Sequence, residues 1–474
     1  MTDGLAYASV AGLGALLRRR EVSSTELTRL YLERLERLGP RLNAVAALMP
    51  ERALDEARRA EQELAAGNDR GPLHGIPYGA KDLLAAVGAP TTWGAPPYRD
   101  QRFEHDGVVV ERLGAAGAVL AAKLAMVELA GGGGYKFPDA SLQGPGKTPW
   151  NLDHWSGGSS SGTGSAVGAG LVPYGIGSET SGSIVTPAAY CGITGLRPTY
   201  GLVPRRGAMP LAWTLDKLGP MCRTAEDCGL VLAAIAGVDA GDPTTRPAPE
   251  PRPTPRRVRL GYQPADFEEL AAEPARAAFA QALKDVAGLD VELVESGGLP
   301  REIPYRAAVG TIVASEAGSI FGELIDSGRV DELRDARQIA GLKAGMQITA
   351  RTYLDAMRAR GLVQDAFARI FERCDAILTV GRARGATRLD EPTGALAVDR
   401  PKDAEQRPEH QAIIPAGNLA GLPAIAFPCG FDAAGLPLSL QVVGRPWDEA
   451  LLVEVGRRFQ AATDWHTRVP PGFE

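Results

Sequence analysis

Serines and one lysine are the residues of this chain whose setting favours chemistry. From Trp155 to Leu196 there is a single charged residue, Glu179, in a stretch dense in Gly, Ser and Thr. It opens with SGGSSSGTGS (156–165) and runs on to GSETSGSIVTP (177–187). Small hydroxyl and glycine residues at this density, almost free of charge, suit neither a solvated linker nor an amphipathic helix. They suit a buried site where backbone N–H groups and serine hydroxyls crowd around a substrate.

A serine hydroxyl is a weak nucleophile at neutral pH and needs a base. Gly158-Ser159-Ser160-Ser161-Gly162 has the form of a nucleophile elbow, which calls for an acid and then a histidine downstream. His410 lies in the charged, proline-flanked AEQRPEHQA and His466 near the chain end, neither in a recognisable catalytic loop. Without histidine, a lysine serves as base if burial favours its neutral form. Lys81 qualifies: it follows the apolar Ile76, Tyr78 and Ala80 and precedes Leu83 and Leu84. The competing reading is a surface ion pair with Asp82.

Other chemistries fit less well. Gly162-Thr163-Gly164 with Gly168 imitates a dinucleotide loop, but PWNLDH before it is no hydrophobic strand. Gly146-Lys147-Thr148 imitates the end of a phosphate loop, yet Ser141 replaces the first glycine and Pro149 disfavours a helix start. The five histidines are scattered without metal spacing, so no metal and no cofactor is expected.

The elements around these residues alternate between helix and strand. Ser23 and Glu26 form a capping-box pattern ahead of Leu27, Leu30, Tyr31, Leu35 and Leu38 at helical spacing. A second helix is expected from about Pro50 to Ala66, then a short strand delivering Lys81. Val108 to Val110, Ala118 to Ala121 and Ile176 continue the alternation. The segment DPTTRPAPEPRPTPRR (242–257) is a stiff surface excursion. VRLGY (258–262) restarts the sheet, helices follow to about Arg373, and two closing strands pair around Asp432 and Gly435. The expected fold is α/β: one domain over residues 1–474, with a mixed, mostly parallel central sheet covered by helices.

Bulk properties narrow the function further. The formal net charge of -6 argues against a nucleic-acid surface. No uncharged run is both long and apolar enough to span a bilayer. Five cysteines without a secretory leader read as reduced, buried thiols in a cytoplasmic protein.

GIPYGAKDLL around Lys81 and the long segment 156–204, together with LDKLGPMCRTAEDCGLVLAAIAG (215–237) and GLPLSLQVVGRPWDEALL (435–452), resemble the amidase signature family of serine hydrolases. The resemblance covers nearly the whole chain and is weakest between about 240 and 410. It implies Lys81 as base, Ser159 as a bridging serine after a cis peptide bond, and Ser183 as nucleophile. Thr180, Ser181, Gly182 and Ser183 would form the oxyanion hole. Ser160, Ser161 and Ser165 are left as structural hydroxyls. The glycine run 131–134 falls where the family lines its acyl pocket, which marks Gly132 and Gly133 as substrate-binding.

Departures from the family pattern bear on substrate. Ser181-Gly182 replaces a double glycine, and Val185 replaces a frequent arginine. Ala212-Trp213-Thr214 replaces a small pair and sets an aromatic near the expected pocket, so Trp213 is weighed as substrate-binding against core packing. The segment LTVGRARGATRLDEP (378–392) is expected to shape an open cleft. The implied activity is hydrolysis of amide C–N bonds, aryl amides, carbamates and esters included, by a stand-alone monomer or homodimer acting on a small molecule. The alternative is the glutaminase subunit of a tRNA-dependent amidotransferase, against which segment 330–360 shows no match to that subunit's glutamine-binding region.

Overall fold

In the computed structural model, residues 2–393 and 412–474 are described, and of residues 2 and 3 only the backbone. Eleven strands form one sheet: β1 (Val45–Leu48), β2 (Pro77–Lys81), β3 (Val119–Leu124), β4 (Tyr174–Glu179), β5 (Thr194–Arg197), β6 (Lys217–Cys222), β7 (Val258–Tyr262), β8 (Val291–Glu295), β9 (Ala376–Val380), β10 (Ala424–Phe431) and β11 (Pro437–Gly444). Their spatial order is β1-β3-β2-β4-β6-β5-β10-β11-β9-β7-β8. The sheet is mixed and flanked by helices, as the alternation predicts. Its balance differs: β2 runs parallel to β3 and β4, and β7 to β8 and β9, while the other six pairings are antiparallel. The physical reason is connectivity. The β10–β11 hairpin and the return of β6 between β4 and β5 need no helical crossover, so they insert antiparallel pairs at the centre.

Local signals act where the sequence places them. Ser23 and Glu26 close a reciprocal capping box on the helix Ser24–Leu42, which ends at left-handed Asn43. The next helix is Pro50–Ala65, with proline at its first position. Residues 246–256 form no element, and most of them are exposed. The central strands β2 to β6 are buried along their whole length, so the sheet is covered on both faces, and each of the five strands carries one buried charged residue: Lys81, Lys123, Glu179, Arg197 and Lys217. Two short, fully buried helices, Ser161–Gly168 and Val185–Cys191, pack against each other near this centre. Glycine makes the contact possible: a Cβ on Gly164 would stand 2.9 Å from Pro187 Cβ and 3.1 Å from Cys191 Sγ.

Candidate active site

Lys81 is the last residue of β2 and Ser178 lies near the end of β4, its parallel neighbour. Their side chains meet below the turns that lead into the two short helices. Lys81 Nζ donates to Ser159 Oγ at 2.7 Å, Ser178 Oγ at 2.8 Å and Ser160 Oγ at 3.0 Å. The peptide bond between Gly158 and Ser159 is cis. Ser160 N–H donates to the carbonyl of Ser183 at 3.4 Å, which holds the turn carrying Ser183 against the turn carrying Ser159. Both serines are buried, Ser183 at the margin.

Burial pulls the Lys81 ammonium down to about 7, against the opposing charges of Asp216 and Glu179. The hydrogen-bond partners of its nitrogen are hydroxyls and no carboxylate. Asp82, the turn residue that follows β2, does not pair with it: its partner Lys123 stands opposite Ala80 in the β2–β3 register and so on the face away from Lys81. There its carboxylate receives Lys123 Nζ at 2.7 Å and the N–H of Thr92 at 3.0 Å. The surface ion pair weighed from sequence is therefore a buried one, with a different lysine.

The three hydroxyls around Lys81 are not equivalent. Ser160 Oγ donates to the carbonyl of Ser178 at 3.2 Å and also accepts from Ser178 N–H, so its proton is committed. A neutral amine has two N–H donors and one lone pair, so one of the hydroxyls of Ser159 and Ser178 can donate to it. The sequence marks neither Ser160 nor Ser178 as a partner of the base. One hydroxyl in so serine-rich a stretch carries no mark of its own, and only the β2–β4 register places Ser178. Ser161 and Ser165 do bond backbone, to Ala125 O (3.4 Å) and to Lys147 O (2.6 Å).

The turn bearing Ser183 is fixed from beneath. Glu179 Oε2 accepts from the N–H groups of Ile184 (2.8 Å) and Val185 (3.0 Å), and its other oxygen from Arg197 and Asn418, both at 2.8 Å. Burial raises this carboxyl, yet Arg197 and its hydrogen bonds hold it down at about 2. Gly182 has φ +95, a conformation that favours glycine. Among the described residues the N–H groups of Ser181, Gly182 and Ser183 donate to no backbone or side-chain acceptor. Thr180 Oγ1 donates to Asp216 at 2.6 Å, and Asp216 also accepts from the N–H groups of Leu211 and Ala212.

A cavity of about 180 Å³ abuts this centre through Ser178 and Thr180. Its apolar wall includes Leu83, Met209, Leu211, Leu218 and Trp213. Trp213 is 48% exposed, which excludes core packing. Gly132 and Gly133 are not among the residues that line this cavity, and both sit in tight packing contacts beside it. A Cβ on Gly133 would lie 2.0 Å from Gln338 O, and one on Gly132 would lie 2.8 Å from Leu211 Cδ1. The glycine run lets a helix, Ala336–Gly345, approach the backbone. Segment 381–393 packs on the loop before Ser156, with Trp155 N–H bonded to Thr387 O and Leu389 N–H to Asp153 O. It does not border this cavity. His466 sits on the turn Trp465–Thr467, where its carbonyl accepts from Arg223 Nη2 at 2.8 Å; His410 lies outside the described residues.

Among the described residues no group of His, Cys, Asp and Glu is arranged to hold a metal ion, and no helix is long and apolar enough to cross a membrane.

The Amidase family model matches residues 26–453. The chain is 38% identical to one component of the glutamyl-tRNA(Gln) amidotransferase of Methylococcus capsulatus, over 98% of this chain and 99% of that protein. It is 36% identical to a putative amidase AmiD of Mycobacterium bovis, over 99% and 97%. Among solved structures it is similar to the peptide amidase of Stenotrophomonas maltophilia, with 30% identity, a TM-score of 0.80, and coverage of 98% of this chain and 99% of that one. The chain belongs to the amidase signature family and is an amide C–N hydrolase.

Proposed function

We propose that the chain is a self-sufficient amidase that works through an acyl-enzyme on Ser183, with Ser159 and neutral Lys81 as the proton relay. The observation that carries this reading is the Lys81 amine, buried among hydroxyls and drawn down to about 7. Ser183 Oγ attacks the substrate carbonyl as its proton passes to Ser159 Oγ and the Ser159 proton passes to Lys81 Nζ. The proton then returns through Ser159 to the departing nitrogen, the C–N bond breaks, and an ester to Ser183 remains. Water repeats the sequence on that ester and releases the acid. The N–H groups of Thr180, Ser181, Gly182 and Ser183 stabilise the developing oxyanion, where loss of one donor costs roughly 10²–10³ in rate.

The cavity supports substrates with an apolar group beside the scissile bond, namely aryl amides and the corresponding carbamates or esters. The protein acts in the cytoplasm on a small molecule, as a monomer or homodimer, without nucleic acid. The second reading is the glutaminase component of a tRNA-dependent amidotransferase, favoured by the 38% identity to an amidotransferase component.

The test is release of 4-nitroaniline from an anilide and its matched carbamate by wild type and Ser183→Ala, beside ammonia release from glutamine. Turnover lost in Ser183→Ala sustains the acyl-enzyme, and the ratio of the two substrates separates amidase from urethanase. Turnover of glutamine alone, and only with a partner present, would replace this reading by the second.

A further inference from the structure

We propose that Trp213 selects substrates carrying a planar aromatic group, and that Glu316 is the residue that positions it. This rests on the amidase reading above and adds a selector to it.

An exposed tryptophan on a loop is ordinarily free to turn, and its exposure carries a hydration cost. Here the loop is tied down on every side. The Trp213 carbonyl accepts from Arg205 Nη1 at 2.7 Å and from Tyr200 OH at 2.9 Å. The residue that follows is held from two helices. Glu316, on the helix Tyr305–Ile320, accepts from Thr214 N–H at 3.0 Å and Thr214 Oγ1 at 2.8 Å. Arg360, on the helix Ala350–Phe371, donates to Thr214 O and Oγ1. Tyr353 OH fixes the Glu316 carboxylate at 2.7 Å.

The indole is also loaded from one side. The Arg205 guanidinium lies 5.0 Å from its centroid, a cation–π contact that leaves roughly the other half of the side chain open. Both residues line the cavity that reaches Ser178. Polar groups that line the same wall are already engaged: Asp216 with Thr180, Leu211 and Ala212, and Arg206 with Glu111 and Asp239. What remains for a ligand there is apolar surface and one aromatic face, and that combination recognises a flat, uncharged ring.

The experiment compares kcat/KM for 4-nitroacetanilide with kcat/KM for acetamide, which shares its acyl group and lacks the ring. In Trp213→Ala the anilide-to-acetamide ratio falls about 10-fold or more, chiefly through KM, and Trp213→Phe recovers part of it. Glu316→Gln lowers the same ratio by roughly 3-fold or more, again through KM. An unchanged ratio in Trp213→Ala overturns the proposal. So does a Glu316→Gln variant that slows both substrates equally through kcat. Failure of the amidase reading is seen separately, as wild type that turns over neither amide. Calorimetric binding of acetanilide then decides: weaker binding in Trp213→Ala supports the selector, and equal binding sinks it.

Discussion

The carboxylate of Asp82 lies 2.7 Å from Lys123 Nζ, on the face of the sheet opposite its neighbour Lys81. That division gives one lysine an anion and the other only hydroxyls. Both are buried and both are pulled down by burial, but Asp82 opposes the shift at Lys123 through direct contact, while Lys81 feels Asp216 and Glu179 only at a distance. One step along the chain, from the end of β2 into the turn, therefore separates the anchor of one buried ammonium from an amine that meets only hydroxyls.

The first consequence is a pH profile. The base must be neutral, and Lys81 gives up its proton at about 7. Activity should rise with pH through about 7 and then level, with an ascending limb of one proton in kcat/KM. Lys81→Met should remove this limb together with the activity. A profile that peaks in acid would sink the lysine relay.

Glu179 should matter to both folding and rate without touching substrate. Glu179→Gln leaves Arg197 buried beside a neutral group, at a cost of about 3–5 kcal/mol measured by urea unfolding. It also loosens the Ile184 and Val185 N–H groups, so kcat should fall more than KM rises. The folded carboxyl titrates at about 2, below its ordinary 4.5. Its stabilisation is thus complete above 4.5 and is lost as pH falls from there toward 2. The acid transition of Glu179→Gln should accordingly be shallower over that window.

Gly133→Ala tests whether the glycine run serves packing. The new methyl would meet the backbone oxygen of Gln338 at 2.0 Å, and backbone cannot swing aside as a side-chain tip can. A loss of about 3 kcal/mol or more is expected, seen as a lower Tm. A variant with unchanged Tm and raised KM would instead support a place for the glycine in the substrate pocket.

Thiol chemistry should be silent in the native protein. Cys191, Cys222, Cys228, Cys374 and Cys429 are all free and buried, and burial raises the thiols of Cys191, Cys222, Cys374 and Cys429 above their ordinary range. Iodoacetamide at neutral pH should leave activity intact and label cysteine only after denaturation. Inactivation of the folded enzyme in step with modification of one cysteine would contradict this.

The sequence by itself determined what is local or periodic. The capping box at Ser23, the strand that ends at Lys81 and the hairpin around Gly435 follow from nearest-neighbour chemistry, which a linear chain displays in full. The density of serine and glycine between Trp155 and Leu196 marked a buried site, because such composition has few other uses. What only the tertiary structure decided is pairing between segments far apart in the chain. Asp82 finds Lys123 and not Lys81 because strand alternation and the β2–β3 register carry the choice. Ser178 reaches Lys81 through the β2–β4 register, and the loop of Trp213 is held by Glu316 and Arg360, more than a hundred residues away. The antiparallel pairing of β4 with β6 follows the same rule: strand direction there is fixed by which distant strands meet.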